Sequence, residues 1–157
     1  GVRIWDSMAK TRTSFEGLSY FATDDSKRVV ADFTPYEPVK MIPIVNVLGI
    51  LTETPSPGRL DFVVDGEAYS MDALDDAEDY YIIFADKTNG KTTYGPGRFI
   101  HTESKVDENG QVIMDFNKAY NPPCAFTAYS TCSLPPRQNR LPIEINAGEK
   151  KYGDSLY

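Results

Sequence analysis

The chain is short of the residues that most often carry chemistry. It holds one histidine, His101, and two cysteines, Cys124 and Cys132. A two-histidine metal motif is therefore excluded, and cysteines eight positions apart do not make a Cys-x-x-Cys pair. No apolar run approaches the roughly 18 residues that a membrane-spanning helix requires. No charged segment followed by an apolar stretch opens the chain. Bases are outnumbered: 16 Lys and Arg face 23 Asp and Glu, for a net charge of −7. Nucleic acid binding rests on a basic footprint that releases counterions, and none is visible. Repeats, low-complexity tracts and linkers are also missing. The 157 residues make one domain by length. Neither nucleic acid nor membrane is an expected partner, no cofactor or metal is implied, and the expected location is the cytoplasm. Nothing in the pattern bears on oligomeric state.

What is present points to β structure. Hydrophobic residues make up 41% of the chain, with ten Tyr and eight Phe. Aromatic and β-branched side chains pack well on a pleated surface. One short helix is expected at 7–12, with Trp5, Met8 and Phe15 towards its buried side. Residues 27–36 alternate through Val29, Ala31 and Phe33 and should stop at Pro35. Residues 39–47 are apolar, and Gly49-Ile50-Leu51 continues them after a kink. Pro55-Ser56-Pro57-Gly58 reads as a turn, since Pro presets φ and Gly accepts positive φ. Asp65-Gly66, between 60–64 and 67–71, suits a two-residue type I′ hairpin. Further hairpins are expected to join 80–86 with 91–94 and 98–103 with 111–116. The apolar runs 42–51 and 80–85 read as central strands covered on both faces. These elements predict a mostly β domain: an antiparallel meander curled into a barrel-like or sandwich form. A short N-terminal helix and a long irregular C-terminal segment complete it.

The irregular segment, 115–142, holds both cysteines, five of the eleven prolines, two tyrosines and three asparagines. A compact domain rarely keeps so long an irregular stretch without a use for it. Pro122 and Pro123 force extended geometry on their predecessors and stiffen the approach to Cys124. One of these X-Pro bonds is a candidate for the cis form. Three readings of the cysteines stand side by side. They are buried thiols, or a disulfide closing a short loop, or one is a nucleophile. As catalytic candidates, Cys124 and His101 would form a dyad, oriented by Asp115, Asn117 or Asn121. Zinc through Cys124, Cys132, His101 and one acid has suitable ligand types but no known zinc-site spacing. Gly95-Pro96-Gly97-Arg98 lacks the ending of a phosphate loop and reads as a turn. Arg98 retains a fork able to grip a carboxylate or phosphate. Asn117, Tyr120, Asn121, Tyr129 and Arg140 add amide, phenol and guanidinium groups for a small polar ligand. The acids gather at 61–79, where eight Asp and Glu occur without a Lys or Arg. Such a run is either a cation site or a solvated turn region. Its spacing does not match a calcium loop.

The run Phe116-Asn117-Lys118-Ala119-Tyr120-Asn121-Pro122-Pro123-Cys124-Ala125-Phe126-Thr127 carries a family resemblance. So do Pro135-Pro136 with Asn139-Arg140-Leu141-Pro142, Pro55-Ser56-Pro57-Gly58 and Tyr94-Gly95-Pro96-Gly97-Arg98-Phe99. The chain resembles the uncharacterised bacterial and archaeal family called domain of unknown function 1684, over roughly residues 15–152. That family has no established activity, so the resemblance implies no chemistry. It does imply a short form or C-terminal part, because many members are longer at the N-terminus.

Three functions are compatible with these residues. The first is a β domain binding a small polar or anionic ligand near 94–101 and 115–132. The second is a hydrolase using Cys124 with His101. The third is a structural or interaction domain in which 115–142 seals the core.

Overall fold

A computed structural model describes residues 4–153. Alternating apolar and polar residues give most segments two faces, and they assemble as an antiparallel sheet. The strands are β1 (Arg28–Val45), β2 (Leu51–Val64), β3 (Glu67–Asp75), β4 (Tyr80–Phe84), β5 (Arg98–His101) and β6 (Gln111–Asp115). Their spatial order is β5-β4-β3-β2-β1-β6. The sheet curls into a half-barrel, and its two edge strands meet at a single antiparallel bridge between Thr102 and Met114. The expected mostly β, antiparallel, curled architecture is what forms. Among the described residues no helix is long and apolar enough to cross a membrane.

Two apolar clusters lie on opposite faces of β4 and β5. Tyr80, Ile82 and Phe84 of β4 and Ile100 of β5 join the larger cluster, with Leu60, Met71 and Phe116. Leu141, Ile145 and Ala147 of the last stretch also pack there. Ile83 and Phe99 point the other way, into a cluster with Ile42, Ile44, Leu74, Tyr94 and both cysteines. Tyr81 packs against that cluster too. Each fully buried Leu, Ile or Phe contributes about 1.5–3 kcal/mol relative to exposure. Segment 115–142 feeds both clusters, with Phe116, Ala119 and Leu141 in the larger and Cys124, Ala125 and Cys132 in the smaller.

Asp65 and Gly66, at φ 53° and 83°, make the expected I′ hairpin between β2 and β3, and Val64 faces Glu67 across it. Several other boundaries differ. The expected strands 27–36 and 39–47 are one strand, because β1 (Arg28–Val45) passes Pro35 with a register shift between Pro35 and Lys40. Pro55-Ser56-Pro57-Gly58 is part of β2 rather than a turn; Pro35 faces Gly58 and Met41 faces Pro55 across the shift. The irregularity absorbs the missing proline donors. The cis peptide bond is Glu37–Pro38, in the same region, and neither bond of the Pro122-Pro123 pair. β4 pairs with β5 and not with 91–94, and β6 pairs with β1. Of the expected 98–103 pairing with 111–116, only the Thr102–Met114 bridge and the Glu103 amide bond to the Ile113 carbonyl form. Residues 80–85 are doubly covered as expected, but along 42–51 only Ile42 and Ile44 are buried. The helix is α1 (Lys10–Thr13) and it buries nothing. Trp5 and Met8 are exposed, and Phe15, half-exposed, stacks on Tyr152 instead.

Candidate functional site

The lone histidine stands at the end of β5, on the face that carries Phe99. Three elements bring partners to it. Strand pairing sets His101 opposite Tyr81, with the ring centroids 5.0 Å apart. Asp79 lies two residues before Tyr81 and so shares its face. On the outer side of β5, Phe99 and Tyr120 exchange both backbone hydrogen bonds at 2.9 Å. This sets Tyr120 diagonal to His101, within reach of an aromatic side chain.

The result is a hydrogen-bonded relay. His101 Nδ1 lies 2.8 Å from Asp79 Oδ1, and Nε2 lies 3.0 Å from the Tyr120 hydroxyl. The imidazole and phenol planes differ by only 7°. In a neutral ring, Nδ1–H donates to the carboxylate and Nε2 accepts from the phenol. Burial raises the Tyr120 pKa, and Asp76, Asp79 and Glu149 raise it further. Burial likewise raises that of Tyr81, with Tyr120 and Asp76 adding to it. Both phenols therefore stay protonated. Asp76 Oδ2 approaches the same Nδ1 at 3.7 Å. The His101 side chain is 34% exposed, so a molecule from solvent can reach the group. A carboxylate that orients an imidazole, which in turn meets a hydroxyl, is an arrangement suited to holding or moving a proton.

The other expected site residues have structural employment. Cys124 is bonded to Cys132, with Cα atoms 6.1 Å apart, and no cysteine is free. A nucleophile needs a thiolate, so the Cys124–His101 dyad is not present; both ring nitrogens of His101 face other partners. The same bond removes both sulfurs from any zinc set. Arg98 points to the opposite face from His101 and is wholly buried. It donates to Asp86 Oδ2 at 2.8 Å, to the Ile145 carbonyl at 2.9 Å and to the Ala147 carbonyl. It offers nothing to an anionic ligand. Gly97, at φ 133°, lets this strand begin where any Cβ would strike the Phe84 carbonyl and Pro135, so the Gly-Pro-Gly motif is a packing turn.

Asn117 donates to the Asp24 carbonyl at 2.9 Å and accepts from the Asp24 amide at 3.1 Å. Asn121 is buried and donates to the Lys150 carbonyl at 2.8 Å. Tyr129 is almost fully exposed and lies outside the relay. Arg140 lines a separate shallow recess with Val47, Gly95, Pro96 and Leu134. Of the expected set, the structure brings together His101 and Tyr120. Asp79, Asp76 and Tyr81 complete the group. The acid-rich run already marked Asp76 and Asp79, but nothing local joined them to a histidine 25 and 22 positions away.

A family model described as protein of unknown function (DUF1684) matches residues 13–150. No curated protein matches the chain. Among solved structures, the solution NMR structure of an uncharacterized protein of Haloarcula marismortui is similar, with 31% identity and a TM-score of 0.70. The likeness covers 88% of this chain and 78% of that one.

Proposed function

The chain belongs to the DUF1684 family of proteins of unknown function, and from that premise we propose that it binds a small polar molecule at the rim formed by Asp79, His101 and Tyr120. The observation that carries this reading is the Tyr120–His101–Asp79 relay, part-buried yet open to solvent. A few convergent polar groups beside apolar walls are the usual makings of a small-ligand site. Tyr81 and Phe99, packed edge to face at 5.2 Å, supply the wall. The ligand is a hydrogen-bond donor or a cation rather than an anion. Two carboxylates stand at the rim, and the guanidinium of Arg98 is consumed in the core. Segment 115–142 acts as the frame that holds Tyr120 in place. The disulfide within it favours an oxidising compartment over the cytoplasm expected at first.

The single histidine makes the test direct, because its ring gives one set of NMR signals. A panel of small amines and polyols is titrated into wild type and into Tyr120→Phe. Binding compounds should shift the His101 ring signals in wild type, and the variant should bind them several-fold more weakly. Shifts that cluster around Val47 and Arg140, with the His101 ring unmoved, would refute the reading.

A further inference from the structure

We propose that Asp76, Asp79 and His101 bind one divalent transition-metal ion of the zinc type, with Tyr120 holding the imidazole from its far side. The inference rests on the reading of this rim as the binding site and names what the rim holds. One ligand atom from each of the three residues lies within 4.8 Å of the other two. Ligands about 2.1 Å from a tetrahedral zinc stand about 3.4 Å from one another. The distances from His101 Nδ1 to Asp79 and Asp76, 2.8 and 3.7 Å, bracket that value. Asp76 and Asp79 sit in the turn between β3 and β4, where small side-chain rotations suffice to equalise the distances. Asp76 Oδ1 already accepts from the Ala77 amide at 2.8 Å, which leaves Oδ2 aimed at the ring.

Charge points the same way. Among the described residues, neither carboxylate pairs with a Lys or Arg; His101 is the basic group beside each. A neutral imidazole has a single Nδ1–H to offer, and it cannot satisfy two carboxylates at once. A divalent cation at that point serves both. The far nitrogen supplies the independent support. Ligating histidines characteristically donate their other ring N–H to an oxygen that fixes tautomer and orientation. Here Nε2 has the Tyr120 hydroxyl at 3.0 Å. On metal binding the ring proton moves from Nδ1 to Nε2, so the ring stays neutral and Tyr120 becomes the acceptor. Three protein ligands leave a fourth position open to water.

The test is a titration of metal-free, oxidised protein with zinc alone, followed through the His101 ring nitrogens. One zinc per chain should bind, Nδ1 should take the shift of a ligated nitrogen, and Nε2 should gain the ring proton. Asp76→Asn should weaken binding about tenfold or more. An unmoved ring at millimolar zinc, ligation through Nε2, or equal affinity in Asp76→Asn would overturn the proposal. The compound panel is run separately in chelator-treated protein. Compounds that still shift the ring there, with no response to zinc, leave the ligand reading standing and remove the metal. Zinc binding with no compound response removes the ligand reading and supports the metal.

Discussion

Arg98 and Asp86 face each other at 2.8 Å with neither side chain exposed to solvent. The pair fastens the first residue of β5 to the segment just after β4, and through the Ile145 and Ala147 carbonyls to the last stretch of the chain. Burial pulls the guanidinium pKa down, and the Asp86 carboxylate opposes that pull. Arg98→Met should therefore destabilise the fold by about 3–5 kcal/mol, because it strands a carboxylate in the core. Urea unfolding measures this. The double variant with Asp86→Asn should cost less than the sum of the singles, since the two groups are directly coupled.

Asn139 acts where β3 and β4 splay apart. Its side chain accepts from the Asp72 amide at 2.7 Å and donates to the carbonyls of Asp72 and Ile83 at 2.9 and 3.0 Å. Asn139→Ala leaves three buried backbone groups without that partner. A loss of about 3 kcal/mol is expected, with faster amide exchange at Asp72. An exchange rate equal to wild type would refute the role.

The Cys124–Cys132 bond closes a loop of about eight residues, for which chain-entropy arithmetic predicts about 2.5 kcal/mol. Reduction should raise the intact mass by two hydrogens and lower the midpoint of urea unfolding. Native mass spectrometry and a pair of unfolding curves check both statements.

Glu103 accepts from Arg28 at 2.7 Å and from Lys118 at 2.9 Å. These hydrogen bonds, that of Arg28 first, hold its carboxyl at about 2, against an ordinary value of 4.5. A depressed carboxylate contributes stability above the unfolded pKa and loses it as pH falls through the folded one. The contribution is thus present above pH 4.5 and disappears towards pH 2. Glu103→Gln should flatten the melting temperature against pH in that window and leave its slope near pH 7 unchanged.

The fold was legible where the signal is local. Alternation through Val29, Ala31 and Phe33 marked the buried face of β1, and Asp65-Gly66 marked the hairpin between β2 and β3. Pro35 and Pro55–Gly58 misled, because proline is read as a strand terminator. Two prolines placed across the same register shift satisfy one irregularity together, a fact of pairing that neither segment contains alone. The site was half legible. His101 and Tyr120 stood out by rarity and by setting, whereas Cys124 and Arg98 attracted chemistry that their surroundings remove.

The single histidine, the acid-rich run with Asp76 and Asp79, and the stiff cysteine-bearing segment are properties of the chain before it folds. Side-chain period and turn chemistry act over a few residues, so they survive reading in one dimension. Tertiary structure alone decided that β4 pairs with β5, that Tyr120 seals the outer side of Phe99, and that Arg98 turns inward while His101 turns out. These outcomes depend on which strand arrangement buries the most apolar surface and satisfies the most backbone at once. That condition is met by the whole sheet, and it is what joins residues 79, 101 and 120 into one group.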